Sequence, residues 1–227
     1  MTTVALVGPD GAGKTTVARR LDDALEIPVR YLYMGVSADS SNVTLPTTRV
    51  ARRLKRALGA PPDTAGPPSH LARPTTPRSP VRRLAAHLRT GLRLANRTAE
   101  EWYRQLLAWT WQRRGDVVIF DRHFYIDYHA YDVSTKHARS PSQRIHGLLL
   151  SKVYPKPDLV VYLDAPAEVL LARKGEGSLD ALENRRGEYR AIAAFVPRFV
   201  EVDATRPLDE VVEIVARHIL GVARTRP

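Results

Sequence analysis

With 227 residues, 44% of them hydrophobic, the chain is long enough to bury one full α/β core and short for two. It holds no cysteine, which excludes a disulfide framework, thiol catalysis and a thiolate metal site, and it lacks the run of about eighteen apolar residues that a membrane-crossing helix needs. The net charge of +11 is local: between Arg49 and Ala99 twelve Lys/Arg face one acid, Asp63, which accounts for the whole excess. Attraction to polyanions, anionic lipid or phosphorylated compounds is thus predicted for that segment alone.

In chain order, Val4–Val7 reads as a strand. With no basic leader or cleavage site before it, the start predicts no signal peptide and a cytoplasmic enzyme. The next residues, Gly8-Pro9-Asp10-Gly11-Ala12-Gly13-Lys14-Thr15, satisfy G-x-x-x-x-G-K-[ST] between that strand and a helical pattern at 14–25. Glycines there let backbone N–H groups turn inward around phosphate oxygens. Lys14 is placed to reach the β- and γ-phosphates of ATP, and the Thr15 hydroxyl to ligate Mg²⁺. The helix start turns its positive end to the same anion. Asp10 is either an exposed turn residue or an acceptor for a substrate hydroxyl at the loop's outer edge.

A second strand at Val29–Tyr33 is followed by a different composition. Residues 36–80 hold eight of the chain's seventeen prolines, so beyond a helix at 48–58 the stretch Gly59–Pro80 is predicted to be a loop or flap. From Val81, apolar residues recur in steps of four and three through Ala85, Leu88, Leu92, Ala95, Ala99, Trp102, Leu106 and Trp109. That spacing predicts a long amphipathic helix over 81–114, its stripe packed on the sheet or serving as a homodimer seam.

Val117–Phe120 is a buried-strand pattern ending in Asp121-Arg122-His123. Strand ends in a parallel sheet face the ligand crevice, so Asp121 is predicted opposite Lys14, holding Mg²⁺ or accepting a hydroxyl proton. Arg122 offers a planar fork for an acceptor phosphate. His123 is assigned no chemistry. After a helix at 139–153, the strand Leu159–Leu163 leads through Asp164-Ala165-Pro166 into a helix at 166–174. A hinge follows at Gly175-Glu176-Gly177-Ser178, then a helix at 178–195 carrying Arg185 and Arg186. The P-loop has no arginine, so Arg173, Arg185 and Arg186 are the candidates for charge over the transferred phosphoryl group, and 173–190 reads as a closing lid. A last strand, Phe199–Val202, and a helix at 208–222 complete a single domain over 1–227. Within it, 36–114 forms an inserted acceptor-side flap and long helix.

Together Gly8–Thr16 (GPDGAGKTT), Asp121-Arg122-His123, Pro157–Pro166 (PDLVVYLDAP), the Arg173–Tyr189 lid and Val202-Asp203-Ala204-Thr205 resemble the thymidylate-kinase-like branch of the P-loop nucleoside monophosphate kinases. The resemblance implies the P-loop kinase fold: a three-layer α/β sandwich around a five-stranded parallel sheet with helices on both faces, plus the basic Pro/Arg-rich insert and the lid. It implies ATP and Mg²⁺ as cofactors, with Gly8, Gly11, Ala12, Gly13, Lys14, Thr15 and Thr16 around the phosphates. Asp10 would meet the acceptor's sugar hydroxyl, Asp121 and Arg122 would serve Mg²⁺ and acceptor phosphate, lid arginines the donor phosphates, and Ala204 and Thr205 the adenine. Where that family carries an Arg-Glu-Pro-Gly element, this chain reads Tyr31-Leu32-Tyr33-Met34-Gly35, so the donor half follows the family and the acceptor half departs.

Three functions stay open at this level. One is a kinase for a small anionic acceptor such as a nucleotide or sugar phosphate. The second is a kinase for a hydroxyl of a nucleoside, sugar or antibiotic, with Asp121 as base. The third is a P-loop ATPase whose basic insert docks on nucleic acid, polyphosphate or a membrane surface, although no nucleic-acid-binding motif accompanies the arginines.

Overall fold

The computed structural model describes residues 2–35, 42–57, 80–133, 140–175 and 177–224. The flap expected at Gly59–Pro80, except Pro80 itself, Glu176 of the hinge, and the side chains of Val81 and Ala85 lie outside them. Five parallel strands, β1 (Thr3–Val7), β2 (Val29–Tyr33), β3 (Val117–Asp121), β4 (Leu159–Asp164) and β5 (Phe199–Asp203), form one sheet in the order β2-β3-β1-β4-β5. The predicted α/β sandwich is thus what the chain adopts.

Strand pleating divides the core in two, because successive side chains point to opposite faces. Val4, Leu6, Ile119, Val161 and Leu163 face α1 (Lys14–Ala24), through Val17 and Leu21, and α8 (Leu208–Arg224), through Val215 and Ile219. Ala5, Val7, Val118, Phe120, Val160 and Tyr162 face the other way. There they meet α3 (Pro80–Gln112), α4 (Phe124–Tyr128), α5 (Pro141–Lys152) and α7 (Leu179–Ala191), to which α6 (Ala167–Lys174) leads. Local chemistry sets the ends. Ser140 and Gln143 make a reciprocal capping box at α5 with Pro141 in its first turn, Ser178 caps α7, and Gly175 closes α6 at φ 70°.

One expectation is corrected. The apolar stripe of α3 does not pack on the sheet along its length: Leu88, Leu92 and Leu106 are 60%, 70% and 53% exposed. The helix presents an adjacent, mostly polar face instead, Glu100, Glu101, Arg104, Gln105, Ala108 and Gln112. Pairing makes that burial tolerable. Arg104 donates to the carbonyls of Tyr33 (3.5 Å) and Gly35 (3.0 Å) at the end of β2, and Glu100 accepts from the Leu45 amide just before α2 (Pro46–Ala57). Glu101 accepts from His146 at 3.0 Å, whose other ring nitrogen lies 2.6 Å from Asp132 in a π-helical turn, His129–Val133. Of that stripe Trp102 still joins the core edge, with Trp109 stacked edge-on against it.

Candidate functional site

The P-loop crosses from β1, the central strand, into α1. Gly13 caps that helix at φ 83°, a left-handed conformation costly for any residue with a Cβ, and the space a Cβ would fill is open. The first N–H groups of a helix have no intrahelical partner, so this opening faces a cradle of donors. Lys14 is buried beneath it, its Nζ donating to Pro9 O at 2.7 Å and lying 3.7 Å from Asp10 Oδ1. Burial, then the neighbouring Arg122, lowers its ammonium pKa to about 8 against the opposing pull of Asp10, Asp121 and Asp127.

Asp121 ends β3 next to β1, on the same side of the sheet as Lys14, and is 1% exposed. Its Oδ2 accepts from Thr15 Oγ1 at 2.6 Å and from the Tyr31 hydroxyl at 2.9 Å, while Oδ1 is buried without a hydrogen-bond partner. Burial first, then the Asp121 charge, pushes the Tyr31 phenol well above its usual range, so it stays a donor. The orphaned Oδ1 beside a hydroxyl is a hard-oxygen donor set that suits Mg²⁺. Among the described residues no cluster of three His, Asp or Glu could cage a metal, so such an ion would complete its shell with phosphate and water.

Arg122 has a φ of 69°, the one described non-glycine residue with positive φ, and strain of this kind persists where surroundings enforce it. Its amide donates to Leu6 O at 3.0 Å, and its side chain runs over Gly35, where a Cβ would lie 2.5 Å from Arg122 Cδ. The guanidinium Nη2 is 2.5 Å from Asp10 Oδ1. Burial would lower the Arg122 pKa, yet the charges of Asp127 and Asp10 outweigh it and hold the pKa above its usual range. Asp127, on α4, is 3% exposed and accepts from the Tyr189 hydroxyl at 3.4 Å, with Arg185 Nη2 at 3.7 Å. Burial raises its pKa despite Arg122, Arg185 and Lys14.

Two clefts meet at the P-loop, sharing Gly11, Gly13 and Thr16. The larger, about 490 Å³, is lined by the cations Lys14, Arg19, Arg122 and Lys174 with Tyr31, Tyr33, Asp10, Thr15 and Asp121. The other, about 270 Å³, runs between the loop and α8 and is bounded by Val17, Ala204, Leu208 and Val211 with Arg173 and Arg206 at its rim. Its apolar floor and flanking guanidiniums suit a flat aromatic base.

Most residues singled out in the sequence converge here: Gly8 through Thr16, Asp121, Arg122, Arg173 and Ala204. Arg173 is exposed, with Nη1 3.5 Å from Gly11 O. Arg185 reaches the site through Asp127. Arg186 does not face the clefts: it forks onto Asp164 at 2.9 and 2.7 Å and pairs with Glu183. Thr205 turns back on Asp203, donating from its amide (2.9 Å) and hydroxyl (2.6 Å), while its neighbour Ala204 lines the cleft. His123 is fully buried with neither ring nitrogen hydrogen-bonded, and burial drops its pKa to about 3, so it stays neutral. Tyr31, Asp127, Arg19, Lys174 and Arg206 were not anticipated. Asp127 left one signal, a lone carboxylate in the aromatic run Phe124-Tyr125-Ile126-Asp127-Tyr128.

A parallel sheet whose central strand feeds a phosphate-binding loop, opposite a strand-end carboxylate, defines a P-loop nucleoside triphosphatase: a nucleotide-binding kinase or ATPase. The sequence profile of the family described as "AAA domain" matches residues 2–122, just over half of the chain, and the chain belongs to that family. It is also similar to a thymidylate kinase of Blochmanniella floridana, 29% identical over 121 residues, which cover 47% of this chain and 54% of that protein. The chain thus spans about half the length of this curated relative. No helix among the described residues is long and apolar enough to cross a membrane.

Proposed function

We propose that the protein is an ATP-dependent kinase that transfers the γ-phosphoryl group to a phosphate-bearing acceptor, such as a nucleotide or sugar phosphate. The observation that carries this reading is the pair of clefts joined at the P-loop, one base-sized and apolar, the other larger and cationic. A nucleotidase that hands its phosphoryl group to water needs Lys14, Thr15 and Asp121 from the larger cleft, but has no use for the further cations Arg19, Arg122 and Lys174 on its walls.

In this reading the triphosphate lies along the first turn of α1 with Lys14 against its terminal phosphates. Thr15 and Asp121 hold Mg²⁺, which supplies neutralisation of the β- and γ-oxygens. Arg122 holds the acceptor phosphate, and Arg173 and Arg185 add positive charge from the lid. A phosphate oxygen needs positioning and charge neutralisation more than a base. Asp121 suits that division, because one of its oxygens already accepts two hydrogen bonds. The thymidylate kinase relative supports a nucleotide-like acceptor, although Tyr31–Gly35 gives this cleft different walls. The test is ADP release from ATP and Mg²⁺ with nucleotides, sugar phosphates and neutral alcohols in parallel. Release without any acceptor, or confined to alcohols, overturns the reading.

A further inference from the structure

Arg122 pairs with an exposed carboxylate, Asp10, and senses the charge of a buried one, Asp127, without an ion pair to it. Asp10, on the P-loop, keeps 51% of its side chain exposed and holds Oδ1 2.5 Å from Arg122 Nη2. Asp127, on α4, is buried, tied to Tyr189 and adjacent to Arg185. The arginine is fixed at its root by the Leu6 carbonyl, by Gly35 beneath its Cδ, and by its own strained backbone. What remains adjustable is which anion its outer edge meets.

We propose that Asp10 is an exchangeable counter-ion of Arg122, whose place is taken by the anionic group of the acceptor. The inference rests on the reading of Arg122 as the acceptor's anion site, and it names the group bound there as a phosphate rather than the sugar hydroxyl that family resemblance assigns to Asp10. Exposed ion pairs hold weakly, since water and salt compete for both partners. A phosphate offers the guanidinium a doubly charged, bidentate partner and readily displaces such a carboxylate. Asp10, once released, turns into solvent that already reaches half of it. The Asp10 carboxylate thus marks where the acceptor phosphate goes.

The test is calorimetric titration of inorganic phosphate into the full chain loaded with ADP and Mg²⁺, which occupies the donor side. Asp10→Asn removes the competitor and is expected to tighten phosphate binding about three- to fivefold. In an Arg122→Ala background the Asp10→Asn gain disappears. Unchanged or weaker phosphate binding by Asp10→Asn overturns the proposal, and this exposed loop position carries no folding burden. Should Arg122→Ala alone leave phosphate affinity untouched, the acceptor-site reading itself falls, an outcome separable from failure of the exchange.

Discussion

Arg186 separates a structural reading of the lid from a catalytic one. Its guanidinium forks onto Asp164 at the end of β4, with Nε–Oδ1 at 2.9 Å and Nη2–Oδ2 at 2.7 Å, and both side chains are largely buried at 14% and 10% exposure. Asp164 also accepts from Arg190 at 2.7 Å and from the Tyr162 hydroxyl at 2.5 Å. Burial pushes the Asp164 pKa up, yet the Arg186 and Tyr162 hydrogen bonds outweigh it and keep the carboxylate charged. Truncation in Arg186→Ala therefore leaves Asp164 partly satisfied. The loss should fall below the 3–5 kcal/mol of a stranded buried charge, at about 1–3 kcal/mol. For a domain of this size that lowers Tm by roughly 3–8 °C. Turnover per folded molecule should change little, because the side chain faces away from both clefts. Arg185→Ala should instead lose turnover by at least about a hundredfold, with a Tm shift no smaller than that of Arg186→Ala, because the buried Asp127 loses its neighbouring guanidinium. Thermal melts combined with ADP-release rates on the same preparations decide the matter. An Arg186→Ala protein with parental Tm and a hundredfold slower reaction would refute the reasoning and return Arg186 to the donor phosphates.

Lys14→Ala should abolish transfer while leaving Tm within a few degrees, since its buried ammonium is already disfavoured by burial; retained turnover would remove the P-loop from the chemistry. Tyr31→Phe deletes the 2.9 Å donor to Asp121 and should raise the Mg²⁺ concentration needed for nucleotide binding about threefold, read by metal titration followed with a fluorescent nucleotide; an unchanged midpoint contradicts the positioning of Asp121 by Tyr31. His146 loses charge stability to burial but gains more from Asp132 and Glu101, so its pKa rises from 6.5 to about 9. A raised folded-state pKa means the contribution, about 3 kcal/mol, is whole below pH 6.5 and disappears as pH climbs through about 9. The Tm gap between parent and His146→Gln should therefore be wide at pH 6 and narrow at pH 9.5. Using the gap cancels the opposite drift from Lys14, and a constant gap would show that His146 is not the charged member of the buried trio.

What could be read from the chain alone was whatever local periodicity and local chemistry determine. The five apolar runs became the five strands within a residue or two, because strands buried on both faces have little choice of composition. Gly8–Thr15 and Asp121 were legible for the same reason: phosphate and magnesium accept few substitutes. The short helix Phe124–Tyr128 with its π-turn was not, since a continuous aromatic run has no period to detect, and Asp127 went with it. Nor was Tyr31, which meets Asp121 across the sheet through pairing of β2 with β3 that no local pattern encodes. Helix α3 misled in another way. Its heptad-like stripe is real, but the neighbouring face holds Glu100, Glu101 and Arg104, whose partners at Leu45, His146, Tyr33 and Gly35 come from distant parts of the chain.

The P-loop glycines have a second employer. A methyl group at Gly11 would lie 2.9 Å from the Leu170 carbonyl of α6, and one at Gly8 would lie 2.4 Å from the Leu163 carbonyl of β4. Both positions are thus reserved by the protein's own backbone before any nucleotide arrives. Mutational drift on the triphosphate side meets this double veto, whereas the opposite wall is furnished by side chains such as Tyr31, Tyr33 and Lys174, where exchange drives no new Cβ into the backbone. Divergence among P-loop proteins built on this frame should therefore accumulate on that opposite wall, leaving the phosphate-binding loop nearly frozen.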